Sequence, residues 1–343
     1  MSGGGDGAAG ARASSEPPLP IGLVGTGKHG ARYLSHALRD VPGIRLAAIC
    51  RRDEQAGRVL ARDLGVRFHR GIDELVADPE VRAVVAAAPP SIHEDLVRAC
   101  IRERKPLLVE KPLAASADAA FRVRDAVLAS GLPCLVGHSL RFNATVARVR
   151  ELLPRLGGIG QVELTQGFEP SRLDWLDDPE RSGGGNVLHT GVHSFDLLRL
   201  LTGRDAVLVA CFVERVATRR TEDSFVAAIR MDGAGGPAVL ASVAGSRATE
   251  GRAGSIRVVG REAQLVADHV HGQVALLRGR ACEFEERVPD APTVLALLRA
   301  FVEVAAGRLV PPVDVRDGAA AVAVADACYR SAESGRRVAV RTE

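Results

Sequence analysis

The chain of 343 residues has few aromatic side chains and no long apolar run. Phe, Trp and Tyr make up 3% of it, and no stretch reaches the roughly 18 apolar residues that a membrane helix needs. A strong excess of one charge is also missing, because 45 Lys and Arg residues face 42 Asp and Glu residues for a net charge of +3. These absences argue against a membrane partner and against nucleic-acid binding.

Cysteine is present without forming a motif. The six cysteines are widely scattered and contain no C-x-x-C pair, which argues against a metal site and against a disulfide framework. We therefore expect reduced, mostly buried thiols, no bound metal and a cytoplasmic location. The first 18 residues are rich in Gly, Ala, Ser and Pro and lack an apolar core segment, so we predict a disordered tail and not a signal peptide.

The rest of the sequence divides into two parts. From residue 19 to 137, short apolar runs alternate with stretches of three- and four-residue apolar spacing, the signature of a Rossmann domain with a doubly wound parallel sheet. From 138 to 343, strand-like runs separated by turn residues predict an α+β domain with a large open, mainly antiparallel sheet. The predicted fold class is therefore α/β, and the second domain would carry substrate binding and oligomerisation.

A glycine-rich turn follows the first apolar run. The segment Gly25-Thr26-Gly27-Lys28-His29-Gly30 has G-x-G-x-x-G spacing and lies between a predicted strand and a predicted helix. Gly25 would allow the tight turn, Gly27 the approach of a pyrophosphate, and Gly30 close packing of helix on strand. Because main-chain N–H groups at the helix start hold phosphates, we expect all six residues to bind a dinucleotide.

The residues after the second predicted strand indicate which dinucleotide is bound. NAD-binding proteins carry an acidic residue there for the ribose 2′-hydroxyl, whereas this chain has Arg51 and Arg52, with Asp53 just beyond. Two guanidinium groups suit a 2′-phosphate, which they can bind bidentately. The pattern therefore favours NADP over NAD, although both arginines would also fit a solvated surface at the start of a helix.

Lys111 ends a short apolar strand and is followed at once by Pro112. In an open parallel sheet, ligands bind at the carboxyl ends of the strands, so Lys111 and the glycine turn should face one crevice. Its ammonium could hydrogen-bond a substrate oxygen and transfer its proton, with a pKa depressed by a nearby nicotinamide cation. Alone, such a residue is more often a solvated lysine at a strand end.

Pro89 and His93 lie in a proline-rich turn that opens a helix. This turn could contact the cofactor, with His93 near the nicotinamide. It could equally be an ordinary helix start that Ser91 caps. Both interpretations stay open from the sequence.

The second cluster runs from Gly183 to Asp196. His189 and His193 are four residues apart and Asp196 follows three residues later, so a helix would place them on one face. The preceding glycines would let the backbone approach a ligand, and an imidazole could take the proton of an alcohol. Structural histidines are an alternative, and a metal site is disfavoured because the H-E-x-x-H pattern is absent.

From residue 19 onward, these motifs together resemble the Gfo/Idh/MocA oxidoreductases, the family of glucose–fructose oxidoreductase and inositol dehydrogenase. The resemblance rests on the glycine turn, the Pro89–His93 turn, Glu110-Lys111-Pro112, Arg141-Phe142, Gly183–Asp196 and the C-terminal segment from Pro311. It implies hydride transfer between a nicotinamide and a sugar, cyclitol or related polyol, in a homodimer or homotetramer formed through the open sheet.

The resemblance also implies roles for individual residues. Lys111 would be the catalytic lysine and His193 the proton-transfer residue, with His189 assisting them. Pro89, His93, Glu110 and Lys111 would contact the cofactor, and Glu110 would position Lys111 or the nicotinamide ribose. The substrate would be bound by four side chains, those of Arg141, Trp175, His189 and Asp196.

His189 departs from the family pattern, because many of these dehydrogenases have Asp at this position. Either His189 carries a proton itself or the substrate differs from a simple polyol, and loss of dehydrogenase activity is a further alternative. Other functions also stay open: a nicotinamide-dependent glycosidase, a non-catalytic dinucleotide-binding regulator, and a reductase of a non-sugar carbonyl.

Overall fold

The computed structural model describes residues 17–171, 173–233 and 236–343. Nearly all of the tail predicted for residues 1–18 therefore lies outside the described residues. Two sheets organise the described chain, one in each predicted domain. The fold class predicted from the sequence is confirmed, since a parallel sheet precedes a mainly antiparallel one.

The first sheet has six parallel strands in the order β3-β2-β1-β4-β5-β6. The strands are β1 Leu19–Val24, β2 Ile44–Cys50, β3 Arg67–His69, β4 Ala83–Ala86, β5 Leu107–Val109 and β6 Cys134–Val136. The helices between them are α1 Gly30–Arg39, α2 Glu54–Leu64, α3 Ile72–Ala77, α4 His93–Arg102 and α5 Ala117–Ser130. Strand order reverses between β1 and β4, which is where doubly wound sheets bind ligands.

The second domain is built on nine strands in the order β14-β13-β12-β11-β7-β10-β9-β8-β15. The strands are β7 Ile159–Gly167, β8 Asp205–Glu214, β9 Ser224–Asp232, β10 Val239–Ser246, β11 Ala253–Gly260, β12 Gln264–Asp268, β13 Gln273–Arg278, β14 Ala281–Arg287 and β15 Val338–Ala339. The helices are α6 Ala144–Leu152, α7 Pro179–Ser182, α8 Val192–Thr202, α9 Thr293–Ala305 and α10 Val315–Ser334. Neighbouring strands are antiparallel except β7 and β10, which run parallel.

One face of this sheet is covered by helices and the other is open. On β9, the side chain of Ile229 is buried on the face toward the helices. The side chain of Val226, on the opposite face of the strand, is 57% exposed. Phe212 on β8 and Leu240 on β10 are also exposed, at 78% and 61%. Exposed apolar side chains on one sheet face often mark a protein interface. Self-association through this face, which the family resemblance implies, stays a prediction.

Several elements were not predicted from the sequence, namely β3, α3, α7, β14, α9 and β15. Four of them are short, and the strand β14 has four charged residues among its seven, so its apolar alternation is weak. The six cysteines are all free thiols, and five of them are buried, as predicted. Within the described residues, no helix is long and apolar enough to cross a membrane.

A buried group of charges lies at the start of the second domain. Arg141, which follows β6, donates from Nη2 to Oδ1 of Asp196 on α8 at 2.6 Å and lies 3.0 Å from Oδ1 of Asp317 on α10. Arg199 also pairs with Asp317. The Asp196 side chain is only 1% exposed, so the structure places Arg141 and Asp196 in a buried ion pair, whereas the sequence analysis expected them to bind substrate.

Replacing Arg141 with Met should lower the free energy of unfolding by about 3–5 kcal/mol, because Asp196 would remain buried without its partner. Urea unfolding followed by circular dichroism measures this loss. The exposed Arg98 of α4 offers a control, since Arg98→Met should cost less than about 1 kcal/mol. A loss at Arg141 as small as that of the control would contradict the assigned role.

Candidate active site

The glycine turn has the geometry of a phosphate-binding loop. Gly25 has a φ of +85° and donates its N–H to the Cys50 carbonyl at 2.9 Å. A Cβ on Gly25 would collide with the Ala87 carbonyl, and one on Gly30 with that of Gly25. Around Gly27, by contrast, no described heavy atom lies within 4 Å of an added Cβ. That open space, at the N-terminal end of α1, fits a pyrophosphate.

Glu110 links this turn to the end of β5. Its carboxylate accepts a hydrogen bond from Tyr33 on α1, lies 2.7 Å from Nε2 of His29, and accepts from the Lys111 amide at 3.0 Å. Burial alone would raise the pKa of Glu110, but His29, Lys111 and Tyr33 outweigh it and lower that pKa to about 2. Glu110 is therefore an anion that holds Lys111 beside the glycine turn.

Lys111 reaches across from the first domain to the second. Its Nζ donates to the carbonyl oxygen of His189 at 2.8 Å, and the following Lys111–Pro112 peptide is cis. Burial lowers the pKa of Lys111, the positive charge of Arg247 lowers it further, and Glu110 opposes both. Lys111 can therefore lose its proton at a lower pH than an ordinary lysine.

The three glycines before His189 serve the protein's own packing. A Cβ at Gly183 would press on the Ala115 backbone, at Gly184 on the Tyr329 hydroxyl, and at Gly185 on the Glu222 carbonyl. The sequence analysis expected them to let the backbone approach a ligand. The structure corrects this, because close contact with Ala115, Tyr329 and Glu222 already requires glycine at all three positions.

Glu222 anchors the segment that follows these glycines. Its carboxylate accepts the N–H groups of Gly185 and Val187 at 3.1 and 2.9 Å and the Tyr329 hydroxyl at 2.9 Å. The chain then makes one π-helical turn, Val187–Gly191, before α8 begins. Such wide turns are frequent at functional sites. Sequence reasoning missed Glu222 and Tyr329, which lie far from this segment along the chain.

His189 is buried between Lys111 and Trp175. Its Nε2 lies 3.0 Å from the Ser182 carbonyl, and its ring meets the edge of Trp175 at 5.4 Å between centroids. Burial, together with the charges of Lys111 and Arg247, lowers the pKa of His189 to about 3. The imidazole is therefore neutral near pH 7, with Nε2 as the donor to Ser182.

His193 presents one ring nitrogen to the cleft. Its Nδ1 is buried and meets no hydrogen-bond partner within the described chain, which leaves Nε2 as the accessible nitrogen. The His138 ring, whose two nitrogens likewise have no described partner, stacks edge-on at 5.8 Å. Burial lowers the pKa of His193 well below its usual value, and Lys111 and His138 add to this effect. A neutral imidazole here can accept a proton.

Trp175 is held at the pocket by its neighbour Asp177. The carboxylate of Asp177 accepts main-chain N–H groups of Arg219, Arg220 and Thr221 at 2.8 to 3.1 Å. Burial alone would raise the pKa of Asp177, but these bonds lower it to about 2. The short 3-10 helix Asp174–Asp177 is thus fixed to the loop between β8 and β9, as a pocket wall requires.

The end of β2 has the charges expected for a phosphate. Arg51 is half-buried and Arg52 is exposed, and neither forms an ion pair in the described parts of the chain. Asp53 caps α2 by accepting the Ala56 N–H at 3.0 Å, so its carboxylate is already engaged. The place of a ribose-binding acid is therefore taken by two arginines.

His93 lies inside the first domain, and its ring does not face the cleft. The residue is fully buried, with Nε2 3.1 Å from the Ala88 carbonyl and Nδ1 3.1 Å from that of Pro112. It thereby braces the turn containing Pro89 against the segment after Lys111. Of the two interpretations left open by the sequence, the structure favours a structural role for the imidazole.

The predicted catalytic residues converge, while other predicted residues do not. Lys111, His189 and His193 lie close together, Trp175 packs against His189, and the glycine turn is joined to Lys111 through Glu110. Arg141, Asp196 and His93 instead stabilise the structure around it. Among the described residues, no group of three or more His, Cys, Asp or Glu side chains is arranged to hold a metal ion.

Comparisons with known proteins agree with this architecture. Residues 19–138 match the model of the Gfo/Idh/MocA oxidoreductase family, NAD-binding Rossmann fold, and residues 150–340 match that of its C-terminal alpha/beta domain. The chain is 30% identical to inositol 2-dehydrogenase 1 of Saccharopolyspora erythraea over 338 residues, covering 93% of this chain and 96% of that protein. A match to inositol 2-dehydrogenase 2 of the same organism, at 33% identity, covers 57% of this chain and only 58% of that protein.

Solved structures give the same result. GenD2 from gentamicin A biosynthesis, crystallised in complex with NAD, is 26% identical and superimposes with a TM-score of 0.83, covering 96% of this chain and 98% of that one. An oxidoreductase domain protein from Kribbella flavida, at 21% identity, shares the fold with a TM-score of 0.84 over 95% of this chain and all of that one. The chain therefore belongs to the Gfo/Idh/MocA family of oxidoreductases.

Proposed function

We propose that this protein is an NADP-preferring dehydrogenase or reductase that transfers a hydride at a carbinol carbon of a sugar, cyclitol or related polyol. The observation that carries the proposal is the position of Lys111. Its ammonium has a lowered pKa, lies beside His189, and is tied through Glu110 to an open phosphate-binding turn. Family membership supports the same reaction class, and inositol dehydrogenases among the relatives support a cyclic polyol.

The chain's own residues supply the proton chemistry. A nicotinamide dinucleotide, held at the glycine turn, would supply the hydride acceptor. Lys111 hydrogen-bonds the reacting oxygen, and because its pKa is lowered it takes up the hydroxyl proton more readily than an ordinary lysine. His193 accepts that proton through its accessible Nε2, while His189 and Trp175 shape the substrate side of the cleft.

Lys111→Met should lower kcat by about 100-fold or more, because the group that transfers the hydroxyl proton is lost. NADPH binding should be unchanged, since the phosphate-binding turn is intact. NADP⁺ reduction with myo-inositol and a set of alditols gives kcat, and fluorescence titration gives the NADPH Kd.

Lys111→Arg is the matched control for charge. It keeps the cation but cannot lose its proton, so kcat should remain as low as in Lys111→Met. Recovery of kcat with arginine would show that only the charge matters. Lost NADPH binding with preserved turnover would contradict the assignment altogether.

Replacing Arg51 and Arg52 together with Ala should weaken NADPH binding by about tenfold or more and leave NADH binding unchanged. Each charge-assisted hydrogen bond to the 2′-phosphate contributes about 1.5–3 kcal/mol, and 1.4 kcal/mol corresponds to roughly a factor of ten. Fluorescence titration with each cofactor tests this. Arg62→Ala, at the far end of α2, is the control and should alter neither affinity. Tighter binding of NADH by the wild-type protein would reject the NADP preference.

His189→Asp should shift the midpoint of the pH dependence of kcat for oxidation to higher pH by about one unit or more. A carboxylate beside Lys111 favours the ammonium form and raises its pKa. The neutral amine of Lys111, which accepts the hydroxyl proton, therefore forms only at higher pH. The measurement is kcat between pH 5 and 10 with NADP⁺ and the polyol turned over fastest. His189→Asn, which adds no charge, should leave the midpoint in place. Identical midpoints for the two variants would argue against Lys111 as the titrating group.

A further inference from the structure

Arg247 brings another positive charge to the substrate side of the cleft. It directly follows β10, and its N–H donates to the Asp223 carbonyl at 2.8 Å. The neighbouring Glu222 holds the segment that leads to His189, whose carbonyl accepts from Lys111. Arg247 therefore stands on the sheet side of the cleft and Lys111 on the side of the first domain.

The guanidinium of Arg247 lacks a counter-charge. Its Nε is buried without a hydrogen-bond partner, and no carboxylate in residues 17–171, 173–233 or 236–343 lies within ion-pair distance of it. Burial lowers the pKa of Arg247, as does Arg252 nearby. The charge of Glu169 opposes this lowering of the Arg247 pKa. The Glu169 carboxylate, however, already accepts a hydrogen bond from Arg252 Nη2 at 2.6 Å.

The acidic groups around the cleft are all engaged elsewhere. Glu110 is bound by His29 and Tyr33, and Glu222 by main-chain N–H groups and Tyr329. The carboxylate of Asp223 accepts N–H groups from the loop after β8. Two cations, Lys111 and Arg247, thus face a cleft in which both imidazoles are neutral. Arg247 is half-buried and has no counter-charge, so its partial desolvation is costly, and a bound anion would offset that cost.

We propose that the substrate is an anionic polyol, in which Arg247 binds a carboxylate or phosphate group while the reacting carbinol lies at Lys111. This inference rests on the proposed function and adds the substrate class. A guanidinium can hold two oxygens of such a group at once. The choice of His at position 189 agrees with it, since an aspartate there would repel an anionic substrate that a neutral imidazole tolerates.

Calorimetric titration of the NADPH-loaded protein tests the proposal. The ligands are matched pairs that differ by one carboxylate, D-gluconate with D-glucitol and D-galactonate with galactitol, together with D-glucitol 6-phosphate as the sugar phosphate. The reduced cofactor cannot oxidise these alcohols, so only binding is measured. The aldonates or the sugar phosphate should bind about ten- to hundredfold more tightly than the alditols, and whichever anion binds better identifies the group.

Arg247→Met should abolish the advantage of the anion and leave the NADPH Kd and the alditol affinity unchanged. Arg257→Met removes an exposed charge from β11 and should preserve the advantage. The proposal is overturned if aldonates and the sugar phosphate bind no better than alditols, if no ligand binds, or if the advantage survives in Arg247→Met. NADP⁺ reduction by the same panel is assayed separately, so neutral polyols that are oxidised equally well would reject the anion while leaving hydride transfer intact.

Discussion

The buried carboxylate of Glu110 sets the distance between the two halves of the candidate site. A carboxylate taken out of water costs several kcal/mol unless hydrogen bonds and charges replace its hydration. Here the replacements come from the glycine turn through His29, from α1 through Tyr33 and from the Lys111 amide. None of these elements can shift without removing a partner of the buried carboxylate, so the glycine turn and Lys111 keep a fixed relation.

The electrostatics of the cleft follow from which groups are left without partners. Backbone amides and aromatic hydroxyls hydrogen-bond the carboxylates, and burial keeps His189 and His193 uncharged. Burial, together with repulsion from Arg247, lowers the pKa of Lys111 and makes it a better proton donor than a solvated lysine. The positive charge of Arg247 would also favour a bound anion. The proposed proton transfer and anion recognition would therefore both result from one charge distribution.

Much of the fold could be predicted from the sequence because its signals are local. The strand, glycine turn and helix from residue 19 are contiguous, and Lys111 directly follows an apolar run. Glu222, Tyr329 and Arg247 could not be found in this way, since they reach the site through the second sheet and α10. The same limit explains Arg141 and Asp196: their charges suggested substrate binding, but only the tertiary structure shows that they satisfy each other.

The position of Trp175 against His189 has an optical consequence. The chain contains a single tryptophan, so emission excited selectively at the indole originates beside His189 and not in a distant core. The adjacent imidazole is uncharged at neutral pH, and a protonated one would quench the indole more strongly. Changes in the wavelength or lifetime of this emission therefore report events at the pocket wall alone, without any label having to be introduced.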